Sequence, residues 1–371
     1  MPELLAGSVA GKNVMVTGAG GSIGSELCRQ IFRQQPKLLV LLDQSEYGLF
    51  SLRRELTTLA EAEGFDTTLK VVLGSVTNYE LMRRTFEAQQ IQTVYHAAAY
   101  KHVRMVEENL IEGLRNNTFG TLQTARAARD AGVADFILIS TDKAVRTTSI
   151  MGASKRLAEM TLQALQDEVP DTRFSMVRFG NVLGSSGSVV PLFLEQIEEG
   201  GPVTVTHPDA TRYFMTIPEA AQLVLQAASI AKGGDVFLLD MGEPINILAL
   251  AQRMIRLKGY SLRDDENPDG DIAIEITGLQ SGENLHEKLL IGEEATGTRH
   301  RKIMRATESY LPWVELREVL NTLEKSCDEY DYDGIRAFLD QLLAGPDMAS
   351  RLAEIRKPAE IVPLKPAEKK D

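Results

Sequence analysis

A glycine-rich turn near the start of the chain limits the possible fold more than any other feature of the sequence. The string TGAGGSIG spaces Gly18, Gly21 and Gly24 three residues apart, between the apolar run Asn13–Thr17 and a segment with helical periodicity. Glycines at this spacing permit a tight turn, close approach of the backbone to a phosphate, and packing of the helix on the strand. The sequence therefore predicts a strand–turn–helix unit that begins a dinucleotide-binding fold.

An acidic residue after the next strand supports this prediction. Residues 38–42 form the continuous apolar run expected of a buried parallel strand, and Asp43 follows, 19 residues after Gly24. A carboxylate at this place can accept from both hydroxyls of an adenosine ribose and would repel a 2′-phosphate, so we expect NAD rather than NADP. Its diphosphate would lie at the helix N-terminus, beside Ser22 and Ile23.

Strands and helices alternate along the first half of the chain. Further strands are expected at 69–73, Thr93–His96, 136–140 and 174–178, and two of the helices between them at 120–131 and 152–166. This alternation predicts an α/β protein with a doubly wound parallel sheet, the Rossmann fold, followed by a smaller C-terminal substrate-binding lobe.

The alternation breaks after Asn181, where a Gly/Ser-rich loop precedes short mixed elements and a further strand at 235–240. Residues 262–271, rich in Asp, Asn and Gly, are expected to form an exposed loop. The predicted divisions are a linker remnant (1–10), an NAD-binding Rossmann domain (11–182, rejoined by 216–242), a substrate-binding lobe (183–215 and 243–310), a helical appendix (311–345) and a disordered tail (346–371).

Composition argues against several classes of function. The net charge of −12 argues against a nucleic-acid-binding surface. The two cysteines, Cys28 and Cys327, cannot build a disulfide framework or a thiolate cluster, and the five histidines show no metal-binding spacing. No apolar run approaches the ~20 residues of a membrane helix. We expect a soluble cytoplasmic chain that binds neither metal nor nucleic acid.

Two motifs carry candidate chemistry. Thr141-Asp142-Lys143 comes at the carboxyl end of a predicted buried strand, where open α/β sheets place their active sites. The string MGASK then begins a helix, and its i,i+4 spacing puts Met151 and Lys155 on one face. Short-chain dehydrogenases carry Tyr-x-x-x-Lys here. Met151 cannot move a proton, so either another group does so or the chain is inactive.

At these residues the sequence resembles the bacterial UDP-N-acetylglucosamine 4,6-dehydratases, which are extended short-chain dehydrogenases/reductases. It is most similar to their large membrane-type branch, in which Met replaces the Tyr. The resemblance extends from about residue 11 to about residue 310, on the strings TGAGGSIGSELCRQI, HAAAYKHV, STDKAV, MGASKR, RFGNVLGSSGSVVPLF, TRYFMTIPEA and GENLHEKLL. Whole members of that branch have an added N-terminal membrane domain. We therefore expect a catalytic fragment that works at the cytoplasmic face of the inner membrane.

The resemblance implies a reaction and a role for each residue of the two motifs. NAD takes hydride from C4 of UDP-N-acetylglucosamine, water is lost across C5 and C6, and the hydride returns to C6, with retention at C5. Asp142 would be the acid at the C6 oxygen and Lys143 the base at C5, while Thr141 binds O4 and Lys155 holds the nicotinamide ribose. We expect burial to keep Asp142 protonated, and burial together with Lys155 to lower the pKa of Lys143.

The remaining site residues are inferred from position and from the same resemblance. Cofactor contacts are expected from Ser75 and Val76 near the adenine, from the small residues Ala97, Ala98 and Ala99 at a strand end, and from Asn117. Substrate contacts are expected from Lys101, Asn181, Ser188, Val189, the diphosphate cation Arg212, and Glu283 on the uridine ribose. Gln280 stands where relatives usually have Arg, which removes one diphosphate cation.

Two other functions compatible with the cofactor motif stay open. A nucleotide-sugar 4-epimerase shares the fold and the first hydride step, although it normally keeps the Tyr and needs no acid at C6. A catalytically silent NAD-binding sensor would explain Met151 but leaves Asp142, Lys143 and Lys155 without a role. Helices of this fold commonly pair across a two-fold axis, so a homodimer is the expected assembly.

Overall fold

A nine-stranded sheet forms the centre of the protein. The computed structural model describes residues 2–145, 147–169, 171–279, 282–287, 295–343, 348 and 350–352. The strands are β1 (Asn13–Thr17), β2 (Leu38–Asp43), β3 (Thr68–Leu73), β4 (Thr93–His96), β5 (Asp135–Thr141), β6 (Arg173–Phe179), β7 (Asn181–Leu183), β8 (Val203–Val205), β9 (Thr211–Arg212), β10 (Phe214–Thr216), β11 (Asp235–Leu239), β12 (Ile245–Asn246), β13 (Leu262–Arg263), β14 (Ile272–Ile276), β15 (Ala295–Gly297) and β16 (Ile303–Ala306).

Helices connect most of these strands. They are α1 (Pro2–Ala6), α2 (Ser22–Arg33), α3 (Glu46–Glu63), α4 (Tyr79–Gln89), α5 (Val103–Glu108), α6 (Leu110–Leu114), α7 (Gly120–Asp130), α8 (Ile150–Glu168), α9 (Val189–Glu198), α10 (Ile217–Ala228), α11 (Ile247–Leu257), α12 (Trp313–Asp328) and α13 (Tyr332–Leu343). A π-helical turn, Arg115–Phe119, joins α6 to α7, and a 3-10 turn, Asp142–Ala144, follows β5.

The strand order is that of a doubly wound sheet. Across the sheet the strands lie in the order β3-β2-β1-β4-β5-β6-β11-β16-β15. Pairings from β3 through β11 are parallel, whereas β16 runs antiparallel to β11, and β15 antiparallel to β16. The chain order reverses between β1 and β4, and ligands of such sheets bind beyond the carboxyl ends of the strands at that point. The predicted fold class is confirmed.

Helices cover both faces of the sheet, which explains why its central strands are apolar on both sides. Along β1, Met15 packs in a cluster with α4, α7, α8, α12 and α13, while Val14 and Val16 pack in a second cluster with α2, α3 and α10. The alternation follows from the two-residue repeat of a strand. Helix α8 is buried from Ile150 to Leu165, because α12 and α13 pack on the side that faces away from the sheet.

The predicted smaller lobe has an apolar core of its own. It contains the short sheets β7–β10, β9–β12 and β13–β14–β8, with α9 and α11 packed against them. Phe193 and Ile197 of α9 are buried against Val203, Ile255 and Ile272. The lobe follows the carboxyl end of β6, so β7 and β9 are carried to the edge of the sheet where the candidate site lies.

The structure corrects two expected divisions of the chain and the extent of one expected loop. The expected linker at 1–10 is wrong where it is described, since Leu4 and Val9 are buried and Ser8 Oγ lies 2.6 Å from Tyr95 Oη of β4. β15 and β16 lie within the expected lobe but complete the central sheet instead. The expected loop at 262–271 begins with β13, which pairs with β14.

At the C-terminal end, α12 and α13 occupy the expected helical appendix. Met348 and Leu352 were expected in a disordered tail, yet both are helical and buried in the cluster of α8. Their side chains are apolar, and burial against α12 and α13 removes them from water. Residues 353–371 of the expected tail lie outside the described residues.

Four buried charges join α8 to the end of the sheet. Arg178 of β6 donates from Nε and Nη2 to both carboxylate oxygens of Glu159, at 2.7 and 2.6 Å, and from Nη1 to Glu308 at 2.6 Å. Arg156 donates to Glu159 at 3.1 Å, and the Ser140 hydroxyl donates to the same carboxylate at 2.6 Å. All four charged side chains are at most 3% exposed. We call these four residues the buried charge cluster; its two positive and two negative charges balance.

We predict that Glu159→Gln lowers the free energy of unfolding by about 3–5 kcal/mol, because Arg178 and Arg156 lose their shared counter-charge inside the core. Burial alone would raise the pKa of Glu159, but the two guanidinium groups lower it to about 2. The carboxylate therefore stabilises the fold above the ordinary pKa near 4.5, and this contribution is lost as the pH falls towards 2.

Urea denaturation at several pH values measures this effect. The matched control is Glu198→Gln, which breaks an exposed ion pair with Lys258 and should change stability by less than about 1 kcal/mol. Equal losses in the two variants at pH 7 would contradict a stabilising role for the buried charge cluster.

Candidate active site

The glycine turn between β1 and α2 has the geometry expected of a phosphate-binding turn. Gly18 has φ +67°, and a Cβ there would lie 2.6 Å from the backbone nitrogen of Ala98. A Cβ at Gly24 would lie 1.9 Å from the carbonyl oxygen of Gly18, so α2 packs directly on the turn. Gly21 precedes α2, whose first turn contains no acidic side chain and whose N-terminus has no side-chain cap. The free amides and the helix dipole favour an anion there.

Asp43 holds the glycine turn against the end of β2. Its Oδ2 accepts from the Gly20 amide at 2.8 Å, and its Oδ1 accepts from the Ser45 amide at 2.9 Å. The side chain remains partly exposed at the strand end. The carboxylate is thus fixed beside the turn, as the predicted ribose-binding role requires.

The other predicted cofactor residues lie along the same edge of the sheet. The Ala97 amide donates to Thr17 of β1, and Ala97, Ala98 and Ala99 are partly exposed. Ser75 and Val76 follow β3; Ser75 bonds Thr77 at 2.8 Å. Val76 is buried against α7, so only its backbone is suited to face a ligand.

The π-helical turn before α7 directs Asn117 towards the strand ends. Its Oδ1 accepts from the Tyr100 amide at 2.8 Å, and its Nδ2 donates to the Tyr100 carbonyl at 2.9 Å and to Ser154 Oγ at 3.0 Å. Extra residues in such turns are frequent at functional sites. Asn117 therefore fixes the backbone after β4 and joins it to α8, the helix that contains Met151 and Lys155.

Met151 and Lys155 lie one turn apart on α8, as predicted, and both are buried. The Lys155 ammonium donates to the carbonyl oxygen of Ile139 in β5 at 2.7 Å. Burial lowers the pKa of Lys155 to about 8, although the carboxylate of Glu159 opposes the shift. Lys155 therefore stays mostly protonated near pH 7, although it loses its proton more readily than an exposed lysine, and it is held against the strand that ends at the Thr141–Lys143 motif.

Asp142 and Lys143 form an ion pair at the end of β5. Lys143 Nζ donates to Asp142 Oδ1 at 3.0 Å, and Thr141 Oγ1 donates to the same oxygen at 2.9 Å. Asp142 is 1% exposed, and its Oδ2 is buried without a hydrogen-bond partner among the described residues. A Cβ at Gly180 would come within 3.0 Å of that oxygen. One carboxylate oxygen is thus committed to Lys143, and the other is available to a ligand.

The expected lowering of the Lys143 pKa is wrong. Burial does act in that direction, but the carboxylates of Asp142 and Glu287 outweigh it, and the net shift raises the pKa. Glu287 Oε1 lies 3.3 Å from Lys143 Nζ, which also donates to Asn181 Oδ1 at 3.3 Å. Sequence reasoning missed Glu287, although it lies in the string GENLHEKLL, because an acidic residue in a loop has no local signal of burial.

The predicted substrate residues Arg212 and Glu283 bind each other. Arg212 of β9 donates from Nη2 to Glu283 Oε1 at 2.8 Å and from Nη1 to the carbonyl oxygens of Thr211 and Leu285. Its Nε lies 3.7 Å from Glu287 Oε1. The side chain of Arg212 is 9% exposed, so a diphosphate would have to compete with these carboxylates for the guanidinium.

The Gly/Ser-rich loop lies against the glycine turn. The Ser186 amide donates to Ser22 Oγ at 3.3 Å, and a Cβ at Gly187 would lie 2.4 Å from the ring of His102, so the loop also packs on the segment after β4. Ser188 precedes α9, its Oγ is buried without a partner among the described residues, and no acidic residue occupies the first turn after Val189. This second helix N-terminus is suited to an anion.

Of the predicted positions Lys101 and Gln280, the structure describes the first. Lys101 is exposed next to His102, and partial desolvation of its ammonium group lowers its pKa. Gln280, the predicted departure from the usual Arg, lies outside the described residues.

In the ranges that the structure describes, His, Cys, Asp and Glu side chains do not gather in groups of three or more that suit a metal ion. Over the same ranges, none of the helices has both the length and the apolar character needed to cross a membrane.

Comparisons with known sequences place the chain among proteins of polysaccharide biosynthesis. The family described as "Polysaccharide biosynthesis protein" matches residues 14–308. The capsular polysaccharide biosynthesis protein CapD of Staphylococcus aureus is 48% identical over 287 residues, which are 77% of this chain and 46% of CapD. This chain thus spans less than half the length of that relative. An uncharacterized membrane protein of Methanocaldococcus jannaschii is 42% identical, and the match covers 76% of this chain and 81% of that protein. A UDP-glucose 4-epimerase of Rickettsia canadensis is 30% identical, and the match covers 76% of this chain and 79% of the epimerase.

Solved structures share the fold. Pen from Bacillus thuringiensis superposes with a TM-score of 0.71 at 32% identity, covering 82% of this chain and 90% of Pen. DesIV of Streptomyces venezuelae, a dTDP-glucose 4,6-dehydratase solved with NAD, has a TM-score of 0.63 at 20% identity, covering 75% and 88%.

We predict that Gly24→Ala abolishes dinucleotide binding, because the added Cβ cannot coexist with the Gly18 carbonyl at 1.9 Å and must push α2 away from the turn. NAD titration by calorimetry, with thermal unfolding in parallel, measures the effect. Gly297→Ala is the matched control, since its Cβ would meet nothing within 4 Å. Unchanged NAD affinity in Gly24→Ala would contradict the assigned turn.

Proposed function

The chain belongs to the polysaccharide biosynthesis protein family, and we propose that it is an NAD-dependent 4,6-dehydratase of UDP-N-acetylglucosamine. The proposed product is the 4-keto-6-deoxy sugar nucleotide, UDP-2-acetamido-2,6-dideoxy-4-hexulose, with C5 configuration retained. The reaction class is a hydro-lyase, because the oxidation at C4 and the reduction at C6 cancel within one turnover.

The ion pair between the buried Asp142 and the partly buried Lys143 is the observation that carries this proposal. A dehydration needs an acid at the leaving hydroxyl and a base at the neighbouring carbon, and the pair offers both within one hydrogen bond of 3.0 Å. Asp142 Oδ2 is buried without a hydrogen-bond partner among the described residues, and a substrate hydroxyl that displaced its neighbours would supply one, which supports an acid role. Met151 leaves the usual Tyr position without a proton donor, so the chemistry falls to this pair.

The residues at the glycine turn fit the dinucleotide that this reaction requires. Gly18 and Gly24 leave a cradle that any side chain would fill, and the α2 N-terminus would hold the diphosphate beside Ser22 and Ile23. Asp43 would accept from the adenosine ribose, which favours NAD over NADP. Bound NAD would supply hydride acceptance at C4 and hydride return at C6. The presence of NAD in the DesIV structure supports this assignment.

The remaining steps belong to side chains of this chain. Thr141 would bind O4 and pass its proton to Asp142, to which it donates a hydrogen bond of 2.9 Å, and Lys155 would orient the nicotinamide ribose. Lys143 would then take the C5 proton, which the new 4-ketone has made acidic. Asp142 would give its proton to the C6 hydroxyl as the C–O bond breaks, so that water leaves, and Lys143 would return its proton to C5 when C6 is reduced.

The nucleotide half of the substrate fits the smaller lobe. Arg212 would exchange its carboxylate partners for the diphosphate, which a guanidinium can bind through two hydrogen bonds. Ser188 and Val189 at the α9 N-terminus would supply further donors, and Glu283 would turn to the uridine ribose. Asn181 and Lys101 would border the sugar. The Rickettsia canadensis relative, whose name specifies a UDP-sugar, supports this substrate class.

A 4-epimerase is the second candidate, because that relative is 30% identical to this chain. An epimerase would need no acid at C6, which leaves the buried Asp142 unexplained.

Incubation of the protein with UDP-N-acetylglucosamine, followed by mass spectrometry, separates the two functions. Loss of one water supports the dehydratase, and an unchanged mass with a new stereoisomer would support the epimerase. Bound NAD without any product would favour a silent sensor. Running the reaction in heavy water and reading C5 by NMR tests retention.

We further propose that the protein works at the cytoplasmic face of the membrane, in keeping with the membrane protein of Methanocaldococcus jannaschii among its relatives. Fractionation of cells that produce the protein tests this location. We also propose a homodimer, which light scattering of the purified chain tests.

We predict that Lys143→Ala reduces product formation by at least ~10²-fold, the range typical of a lost general base, while NAD stays bound. The lysine touches Asp142, Asn181 and Glu287 rather than the glycine turn, so dinucleotide affinity should not depend on it. Lys258→Ala, which removes an exposed lysine of the lobe, is the control. Normal turnover in Lys143→Ala would rule out the assigned base.

A further inference from the structure

Glu287 lies where the two halves of the candidate site meet. Its Oε1 is 3.3 Å from Lys143 Nζ and 3.7 Å from Arg212 Nε, so one carboxylate oxygen links the proposed base to the proposed diphosphate cation. Its Oε2 accepts from Asn284 Nδ2 at 3.4 Å. The side chain is 3% exposed. A carboxylate this buried is retained only with compensating positive charge, and both cations are functional candidates.

We propose that Glu287 is a positioning residue for Lys143, holding its amino group between Asp142 and Asn181 and setting the fraction of the lysine that is neutral and able to accept a proton. This inference rests on the proposed function, in which Lys143 removes the C5 proton. Glu287 acts through Lys143 and does not contact the reacting atoms.

The charges around Lys143 come from three separate parts of the chain. Asp142 lies on the same 3-10 turn as Lys143, Glu287 in the segment after β14, and Arg212 on β9, while the neutral Asn181 approaches from β7. Burial and Arg212 lower the pKa of Lys143, and the two carboxylates raise it by more. Asp142 is the proposed acid, so it must be protonated, and therefore neutral, before it can donate its proton. Glu287 is then the carboxylate that keeps its charge throughout.

That difference gives Glu287 a defined effect on the proton transfer. When the C5–H bond breaks, its electron pair delocalises into the 4-ketone and the proton moves to Lys143 Nζ, which becomes an ammonium ion. The Glu287 carboxylate at 3.3 Å stabilises that ammonium ion. The same attraction favours the charged lysine before the reaction. Glu287 thus lowers the fraction of Lys143 that is neutral before the reaction, and it stabilises the Lys143 ammonium ion that forms when the proton is transferred.

A purely structural role for Glu287 would be to hold Arg212. Glu283 provides the comparison, because it accepts from the same guanidinium at 2.8 Å, whereas the carboxylates that mainly raise the Lys143 pKa are those of Asp142 and Glu287. Loss of either carboxylate disturbs Arg212 and should raise the KM for the sugar nucleotide. The Glu287 variant alone should change the titration of Lys143.

Competitive labelling with acetic anhydride measures that titration directly, because only the neutral amine reacts. The full chain is labelled across pH 6 to 11, and the Lys143 peptide is quantified by mass spectrometry for wild type, Glu287→Gln, Glu287→Asp and Glu283→Gln. We expect the labelling midpoint of Lys143 to fall by about one to three pH units in Glu287→Gln, the shift typical of losing a neighbouring opposite charge. Glu287→Asp should return it towards wild type, and Glu283→Gln should leave it there.

The rising limb of kcat/KM with UDP-N-acetylglucosamine should move to lower pH in Glu287→Gln and stay in place in Glu283→Gln. An unmoved Lys143 midpoint in Glu287→Gln, or an equal shift in Glu283→Gln, would overturn the inference. If Glu287→Gln unfolds, an unmoved midpoint in folded Glu287→Ala would do the same. The labelling needs no substrate. A wild type that makes no product would therefore refute the proposed function while Glu287 is still tested.

Discussion

The buried charge cluster holds together the part of the protein on which the candidate site depends. Arg178 binds both Glu159 of α8 and Glu308 beyond β16, and Glu159 accepts from Ser140 at the end of β5. The residue after Ser140 begins the Thr141–Lys143 motif, so the cluster fixes the point where that motif leaves the sheet. Such a cluster is costly to desolvate and even costlier to leave incomplete. It therefore favours one arrangement of α8 against β5 and β6.

A second chain of alternating charges runs through the site itself. Asp142, Lys143, Glu287, Arg212 and Glu283 follow one another with each neighbouring pair within 3.7 Å. The first is fully buried and the second is partly exposed at Lys143 and Glu283, and their hydrogen bonding also differs. The buried charge cluster is closed by protein partners. The chain in the site leaves Asp142 Oδ2 without one among the described residues, and its guanidinium could change partners when an anionic ligand arrives.

The sequence predicted most accurately those features whose causes are local. The glycine spacing and Asp43 follow from backbone geometry at one turn, and the central strands follow from continuous apolar runs, so both appear where expected. The contribution of β16 to the central sheet could not be predicted, since an antiparallel pairing with β11 arises from contacts far apart in sequence. Packing of residues 2–10 was missed for the same reason.

The same difference between local and long-range causes applies to the candidate site. Met151 and Lys155 lie on one helix, so their spacing alone places them together. The pairing of Arg212 with Glu283 joins segments 71 residues apart, and the contact of Glu287 with Lys143 joins two elements that no periodicity relates. The direction of the Lys143 pKa shift depends first on Asp142 and then on Glu287. Burial of the lysine was foreseen, but the reversal of its effect by the two carboxylates together was not.

The hydrogen bond between Ser186 and Ser22 joins the loop of the smaller lobe to the first residue of α2. Two ligand sites thus share one contact. Thermodynamic linkage is reciprocal, so if sugar-nucleotide binding alters that loop and thereby changes the affinity for the dinucleotide, the dinucleotide must change the affinity for the sugar nucleotide by the same factor. Occupancy of the glycine turn would then change the affinity for the sugar nucleotide, with the Ser186–Ser22 hydrogen bond as the point of contact between the two sites.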